Sequence, residues 1–254
     1  MRILIVTQDD PFYLSESLKR LILLIPEKHV IVGCVVNSVS PFGKAENFFQ
    51  KAFRTYKIFG VKFFLYYSMK FIISKLNIKN SLNSVLKKNN IQKITLKQSI
   101  NHKKSIDLIK ASAPDLLISI LGNQIFKPEI INLASKGCIN LHTALLPKYR
   151  GLMPTFWVMK NKEKYTGVSV FYVDEGIDTG PIIIQKKLEI GDRTQAELIK
   201  YTKRIGVEAI VEAIEKIDKG NVQTFDNNDD EMTYFSFPTK EDVKIFKNRK
   251  NRFF

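Results

Sequence analysis

Apolar and polar positions along the chain follow two alternating rhythms. Short apolar runs rich in Ile, Leu and Val occur at Arg2–Thr7, His29–Val36, Asp115–Ile120 and Gly137–His142, and again at Thr166–Val173 and Ile182–Leu188. Runs of this length and composition predict buried strands. Between them, Ser15–Leu24 carries apolar residues at helical spacing, with Pro26 just beyond. From Thr194 to about Lys219, Leu198, Tyr201, Ile205, Ala209, Ile210, Ala213 and Ile217 recur every three or four residues, and Gly220 follows as a stop signal. That spacing predicts one long helix. Strands alternating with helices predict an α/β fold with a mostly parallel sheet flanked by helices.

Residues 44–79 break the rhythm and predict one or two amphipathic helices with Gly60 between them. Ten of the chain's 28 aromatic residues fall between Phe48 and Phe71, interleaved with Lys51, Arg54, Lys57, Lys62 and Lys70. Near the other end, Thr239 is placed to cap a helix, with Glu241 and Asp242 in its first turn. The expected organisation is a single domain over 1–238 with a helical insertion at about 41–90, and a basic helical tail over 239–254.

Composition changes this picture in one respect. At 254 residues, 44% hydrophobic and 26% charged, the chain is neither disordered nor of low complexity. Its net charge of +15, however, is concentrated. Residues 41–100 hold twelve Lys and Arg against one acid, Glu46, and residues 239–254 hold six against two, while the remainder is neutral. The basic 41–100 segment is expected either to pack its aromatics on the core or a second subunit, or to meet an anionic membrane surface or nucleic acid. Cys34 and Cys138 lie in apolar runs and read as buried thiols of a reducing compartment. MRILIVTQDD lacks a signal-peptide pattern, and the longest uncharged stretch, Val30–Gly43, falls short of the ~20 apolar residues a membrane span needs. The expected location is cytoplasmic, peripheral to the inner face of the membrane where the basic segment binds lipid.

The candidate chemistry lies between Cys138 and Pro181. Asn140 and His142 are two residues apart at a strand end, so both point to one face. Carboxyl ends of strands are the ligand side of an open α/β sheet. Downstream, Asp174, Glu175 and Asp178 sit in an acidic turn with Gly176 and Gly180. An amide, an imidazole and a carboxylate suit acyl transfer: the amide and a protonated imidazole steady a developing oxyanion, and the carboxylate orients the imidazole and helps to move a proton from an attacking amine. Spacing alone leaves the alternative open, in which the His and the turn acids are structural.

Two stretches, INLHTALLPKYRG and TGVSVFYVDEGIDTGPII, occurring together and in this order, resemble the 10-formyltetrahydrofolate-dependent formyltransferase family. The likeness covers roughly Asp115 to Leu188. It implies a Rossmann-like fold, 10-formyltetrahydrofolate as co-substrate, and no metal. It also implies Asn140 and His142 at the formyl oxygen of a tetrahedral intermediate, with Asp178, not Asp174, assisting proton transfer. The segment Ile120, Leu121, Gly122 and Asn123, following Ser119, is similar to the loop lining the family's folate pocket. Val173, Asp174, Glu175 and Gly176 look like the backbone that reads the pterin ring. The resemblance also implies that Leu146, Pro147, Tyr149, Arg150 and Gly151 form the substrate loop. Phe171 stands where many members carry a His.

Members of this family differ in their acceptor amine. Thr7–Tyr13 holds two acids and a Pro, unlike the Gly-rich phosphate loop of the glycinamide ribonucleotide enzymes. Methionyl-tRNA members carry a further C-terminal domain and deformylases a leading regulatory one, and neither is expected here. The expectation is therefore an N-formyltransferase acting on an amino sugar on a nucleotide or glycan carrier. The alternatives are a methionyl-tRNA formyltransferase-like enzyme lacking the C-terminal domain, a formyltetrahydrofolate deformylase, and a non-catalytic binding module. Expected partners are folate, the amine acceptor and a second copy in a homodimer.

Overall fold

In the computed structural model, residues 1–8, 10–37, 48–122 and 124–254 are described. The strands are β1 (Arg2–Gln8), β2 (Val30–Asn37), β3 (Lys93–Leu96), β4 (Leu116–Ser119), β5 (Cys138–His142), β6 (Arg150–Gly151), β7 (Tyr165–Tyr172), β8 (Ile182–Glu189) and β9 (Tyr234–Phe235). The helices are α1 (Leu14–Leu24), α2 (Phe48–Phe59), α3 (Val61–Leu76), α4 (Leu82–Lys88), α5 (Lys103–Ala111), α6 (Pro128–Ile131), α7 (Pro154–Lys160), α8 (Gln195–Asp218) and α9 (Lys240–Asn248).

Seven strands form one sheet in the order β3-β2-β1-β4-β5-β7-β8. The first five run parallel, and β7 and β8 join antiparallel. This is the mostly parallel α/β architecture the sequence predicts. Ile3, Leu4 and Ile5 of β1 and Leu116, Leu117 and Ile118 of β4 are all fully buried. Helices cover both faces of these central strands, so their sequences are apolar throughout instead of alternating. From β1 the chain winds outward to β2 and β3, then returns to β4 and β5 on the other side. A sheet wound in two directions binds ligands at the carboxyl ends of its strands.

The long helix α8 packs on β7 and β8. Thr194 caps it through a reciprocal pair: its hydroxyl accepts from the Glu197 N–H, and the Glu197 carboxylate accepts from the Thr194 N–H. Leu198, Ala209, Ile210, Ala213 and Ile217 are buried along it, while Tyr201 and Ile205 pack at the margin.

The helical excursion is narrower than the sequence suggests. Residues 41–47 of the expected insertion lie outside the described residues, and α2 and α3 are separated by Gly60 at φ +85°. By Leu82 the α/β rhythm has resumed: α4 packs on α1, and β3 pairs with β2 at the sheet edge. A four-residue strand such as KITL carries too little periodicity to be read in advance.

Nor is the tail a separate appendage. Phe59 and Phe63 of the excursion, Phe156 and Trp157 of α7, Val243 and Phe246 of α9, and Phe253 form a second apolar core. Phe59 and Phe63 stack with ring centroids 4.3 Å apart. Phe246 stacks on Phe156 at 4.9 Å and on Phe253 at 4.5 Å. The Gln195 and Ala196 N–H groups donate to the Arg252 and Phe253 carbonyls, tying the last residues to the start of α8. The two basic pieces that composition sets apart are thus joined by their aromatic residues.

Candidate active site

Strand register places the site. Ser119 pairs with Asn140 across β4 and β5, and Asn140 pairs with Phe171 across β5 and β7. Residues paired across strands share a face. This row opens on a cleft of about 150 Å3, completed by residues that include Leu121, Gly122, Val173, Gly176 and Asp178. His142, two residues beyond Asn140, lines the same cleft.

The Nε2 atom of His142 lies 2.7 Å from the Tyr149 carbonyl oxygen. A carbonyl only accepts, so Nε2 carries the hydrogen and Nδ1 is the nitrogen left for chemistry. Nδ1 lies 3.4 Å from Asp178 Oδ2. That same oxygen accepts a hydrogen bond from the Gly151 N–H at 2.8 Å. The sequence gives the carboxylate the task of orienting the imidazole. In the structure a backbone carbonyl orients the ring, and the backbone N–H of Gly151 fixes the carboxylate. His142 is buried and Asp178 is half-buried, with φ +56° at Asp178.

The turn carrying Asp178 is held from a distance. The Asn227 side-chain amide donates to the Asp178 carbonyl at 2.8 Å and to the Gly180 carbonyl at 2.9 Å. Arg150, fully buried, in turn donates to Asn227 and pairs with Asp229 at 2.6 Å. Asn227 and Asp229 lie in a polar stretch with no periodicity, so nothing in the sequence marks them. Gly180 is equally constrained, since a Cβ there would lie 1.7 Å from the Tyr172 carbonyl oxygen. Gly180→Ala is therefore expected to destabilise the protein by about 1–3 kcal/mol. Calorimetry checks this; an unchanged Tm would show that the turn has room.

Not every residue singled out by sequence faces the cleft. Leu121, Gly122, Val173, Asp174, Gly176 and Gly151 line it. Ile120 turns into the core, Glu175 is exposed to solvent, and Asn123 lies outside the described residues. In the substrate loop, Leu146 is pinned to the sheet by Ser169 and Gln185, and Pro147 follows it through a cis peptide. Arg150 is spent on the Asn227–Asp229 segment. The Tyr149 hydroxyl donates to Glu163 at 2.7 Å, and burial beside that carboxylate pushes its pKa up to about 12. Four of the five loop residues therefore support the site from behind, and Gly151 alone of them lines the cleft. Gln124, Ile125, Phe126, Leu152 and Ile177 also line it and were not read from the sequence.

Among the described residues, His29, Glu215 and Asp218 form a group with metal-ligand chemistry. It sits where β2 begins, at the edge of the sheet opposite the cleft. Lys28 Nζ already lies 3.1 Å from Glu215 and 2.9 Å from Asp218, so the group reads as an ion-pair network.

A doubly wound sheet with an amide, an imidazole and a carboxylate gathered at its strand ends is a ligand-binding α/β protein with the side chains for group transfer. Residues 70–214 match the family described as Formyl transferase, and the chain belongs to that family. The methionyl-tRNA formyltransferase of Thermodesulfovibrio yellowstonii is 41% identical over 148 residues, covering 58% of this chain and 48% of the relative. That of Clostridium tetani is 33% identical over 172 residues, covering 67% and 55%. The chain spans about half the length of the curated relatives it matches. Among solved structures, the N-formyltransferase from Helicobacter canadensis, in complex with folinic acid and dTDP-3-aminofucose, aligns with a TM-score of 0.61 at 20% identity. That alignment covers 100% of this chain and 80% of the other. Glycinamide ribonucleotide transformylase 1 from Symbiobacterium toebii aligns at 0.59 and 16% identity, covering 87% and 88%. These likenesses are of fold.

Proposed function

We propose that the chain is an N-formyltransferase that moves a formyl group from 10-formyltetrahydrofolate to a primary amine. The observation that carries this reading is the Asp178–His142 pair set beside Asn140 on one wall of a cleft. Leu121, Ile125, Phe126, Phe171 and Val173 give that cleft apolar walls. Such walls, with peptide groups between them, suit a flat heteroaromatic ring such as a pterin. When bound, 10-formyltetrahydrofolate supplies a formyl carbon attached to a nitrogen leaving group. The remaining work falls to this chain. The Asn140 amide donates to the formyl oxygen as negative charge gathers there. His142, its Nε2 hydrogen committed to Tyr149, donates to the same oxygen from Nδ1 in its doubly protonated, imidazolium form. Asp178, with Oδ2 held by Gly151, offers Oδ1 to the proton leaving the attacking amine.

The acceptor we favour is an amino sugar on a nucleotide or glycan carrier. In support, the fold of the H. canadensis enzyme, solved with dTDP-3-aminofucose, extends over the whole of this chain. Methionyl-tRNA is the second reading, favoured by the 41% identity to a methionyl-tRNA formyltransferase. A panel of amino-sugar nucleotides, methionyl-tRNA and water, each supplied with 10-formyltetrahydrofolate, separates them. Tetrahydrofolate release together with a formylated nucleotide sugar is the expected result. Formylated methionyl-tRNA alone would move the acceptor to the second reading, and release with water alone would make the enzyme a deformylase.

A further inference from the structure

Helix α3 presents a continuous apolar stripe that nothing among the described residues covers. Val61, Leu65, Met69, Ile72 and Leu76 are each between 55% and 75% exposed. At 3.6 residues per turn they fall within an arc of roughly 80°. The opposite side of the helix is fully engaged. Phe63 packs against Phe59 and Phe253, and Tyr67 meets Phe12 edge to face. Ser74 Oγ donates to the Pro11 carbonyl at 2.6 Å. A surface helix ordinarily turns its apolar stripe to the core; α3 has one apolar side in the core and a second that is exposed among the described residues. Exposed Ile78, two residues past its end, extends the apolar surface.

The charge around the stripe selects its occupant. Lys62 and Lys75 flank it on the two sides of the helix and Lys79 lies just past its end, all three exposed. From Asn47 to Ile106 the sequence contains no Asp or Glu. A second copy meeting this face would set cation against cation. A nucleic acid would gain nothing from aliphatic side chains, since it binds through cations and stacking. Aliphatic residues rimmed by lysines match the boundary between acyl chains and anionic headgroups. Among the described residues no helix is long and apolar enough to cross a membrane, so the contact is interfacial.

We infer that α3 docks on the surface of an anionic lipid bilayer, its stripe in the headgroup–acyl boundary and its lysines among the headgroups. Through Pro11 and Phe12 the helix is seated on the loop leaving β1, at the carboxyl edge of the sheet where the cleft opens. Docking therefore places the reaction edge near the membrane. The inference does not depend on the acceptor or on formyl transfer.

The test is flotation of the full chain with vesicles of phosphatidylglycerol and phosphatidylcholine, against phosphatidylcholine alone, at about 50 mM and about 500 mM NaCl. The expected result is flotation with anionic vesicles at low salt, loss of flotation at high salt, and none with neutral vesicles. The triple variant Leu65→Ser, Ile72→Ser, Leu76→Ser is expected to partition at least about tenfold more weakly while staying folded, with its Tm only a few degrees below the parent's, because the altered residues are more than half exposed. The triple variant Lys62→Glu, Lys75→Glu, Lys79→Glu should also lose binding. Absence of the parent protein from anionic vesicles at low salt overturns the inference. So does a serine variant that floats like the parent, which would reduce the contact to charge alone. A parent dimer that the serine variant dissolves, with no vesicle binding, would give the face to a second copy.

Discussion

His142→Ala is expected to lower kcat/KM for formyl transfer by a factor of about 10²–10⁴. The imidazole has one nitrogen committed to the Tyr149 carbonyl and the other 3.4 Å from Asp178. Removing the ring takes away a donor aimed into the cleft and leaves the Asp178 carboxylate held only by the Gly151 N–H. The loss should fall on kcat more than on KM for folate, because the apolar walls of the cleft are untouched. Asp178→Asn separates charge from geometry. The Asn side-chain oxygen can still accept from Gly151, but the amide cannot take a proton from the amine. It should therefore also lose activity by orders of magnitude while keeping its Tm within a few degrees. Steady-state kinetics following tetrahydrofolate release read both. Turnover at the parental rate in either variant would remove that residue from the chemistry, and in Asp178→Asn it would leave the cleft without its proton acceptor.

Phe246→Ala is expected to produce the largest change in stability, about 3–5 kcal/mol. Phe246 is fully buried between the rings of Phe156 and Phe253. Truncation leaves a cavity where α9, α7 and the last residues meet, and the rigid aromatic rings around it cannot collapse into the space. For a chain of this size the fall in Tm is on the order of 10 °C. Leu65→Ser on the outer face of α3 is the matched control, expected to change stability by no more than about 0.5 kcal/mol. If both substitutions lowered Tm equally, the tail would not be part of the second core. A fall confined to Phe246→Ala shows that the basic tail and the aromatic excursion stand or fall together.

Much of this was legible without coordinates. By itself the sequence determined the central strands and the long helix α8. Their signals are local: uninterrupted Ile, Leu and Val in β1 and β4, and a helical period with a Thr194 start and a Gly220 stop around α8. It also determined that Asn140 and His142 share a face, since side chains on a strand alternate with a period of two. Asp178 was marked by its motif. Short elements such as β3, and the two-residue pair β6 and β9, were illegible because pairing partners, not their own residues, define them.

Only the tertiary structure decided how the site is held. That Tyr149 supplies a carbonyl and Gly151 an N–H follows from the path of the loop, because every residue type except proline carries both groups. That Asn227 clamps the Asp178 turn depends on contact between residues 49 positions apart. That Lys247 donates to the Phe59 carbonyl, and α9 thereby meets the excursion, depends on residues 188 apart. Local pattern encodes which face of an element is apolar. Which distant face it meets, and which apolar stripe meets none, is fixed only when the whole chain competes for the same buried space.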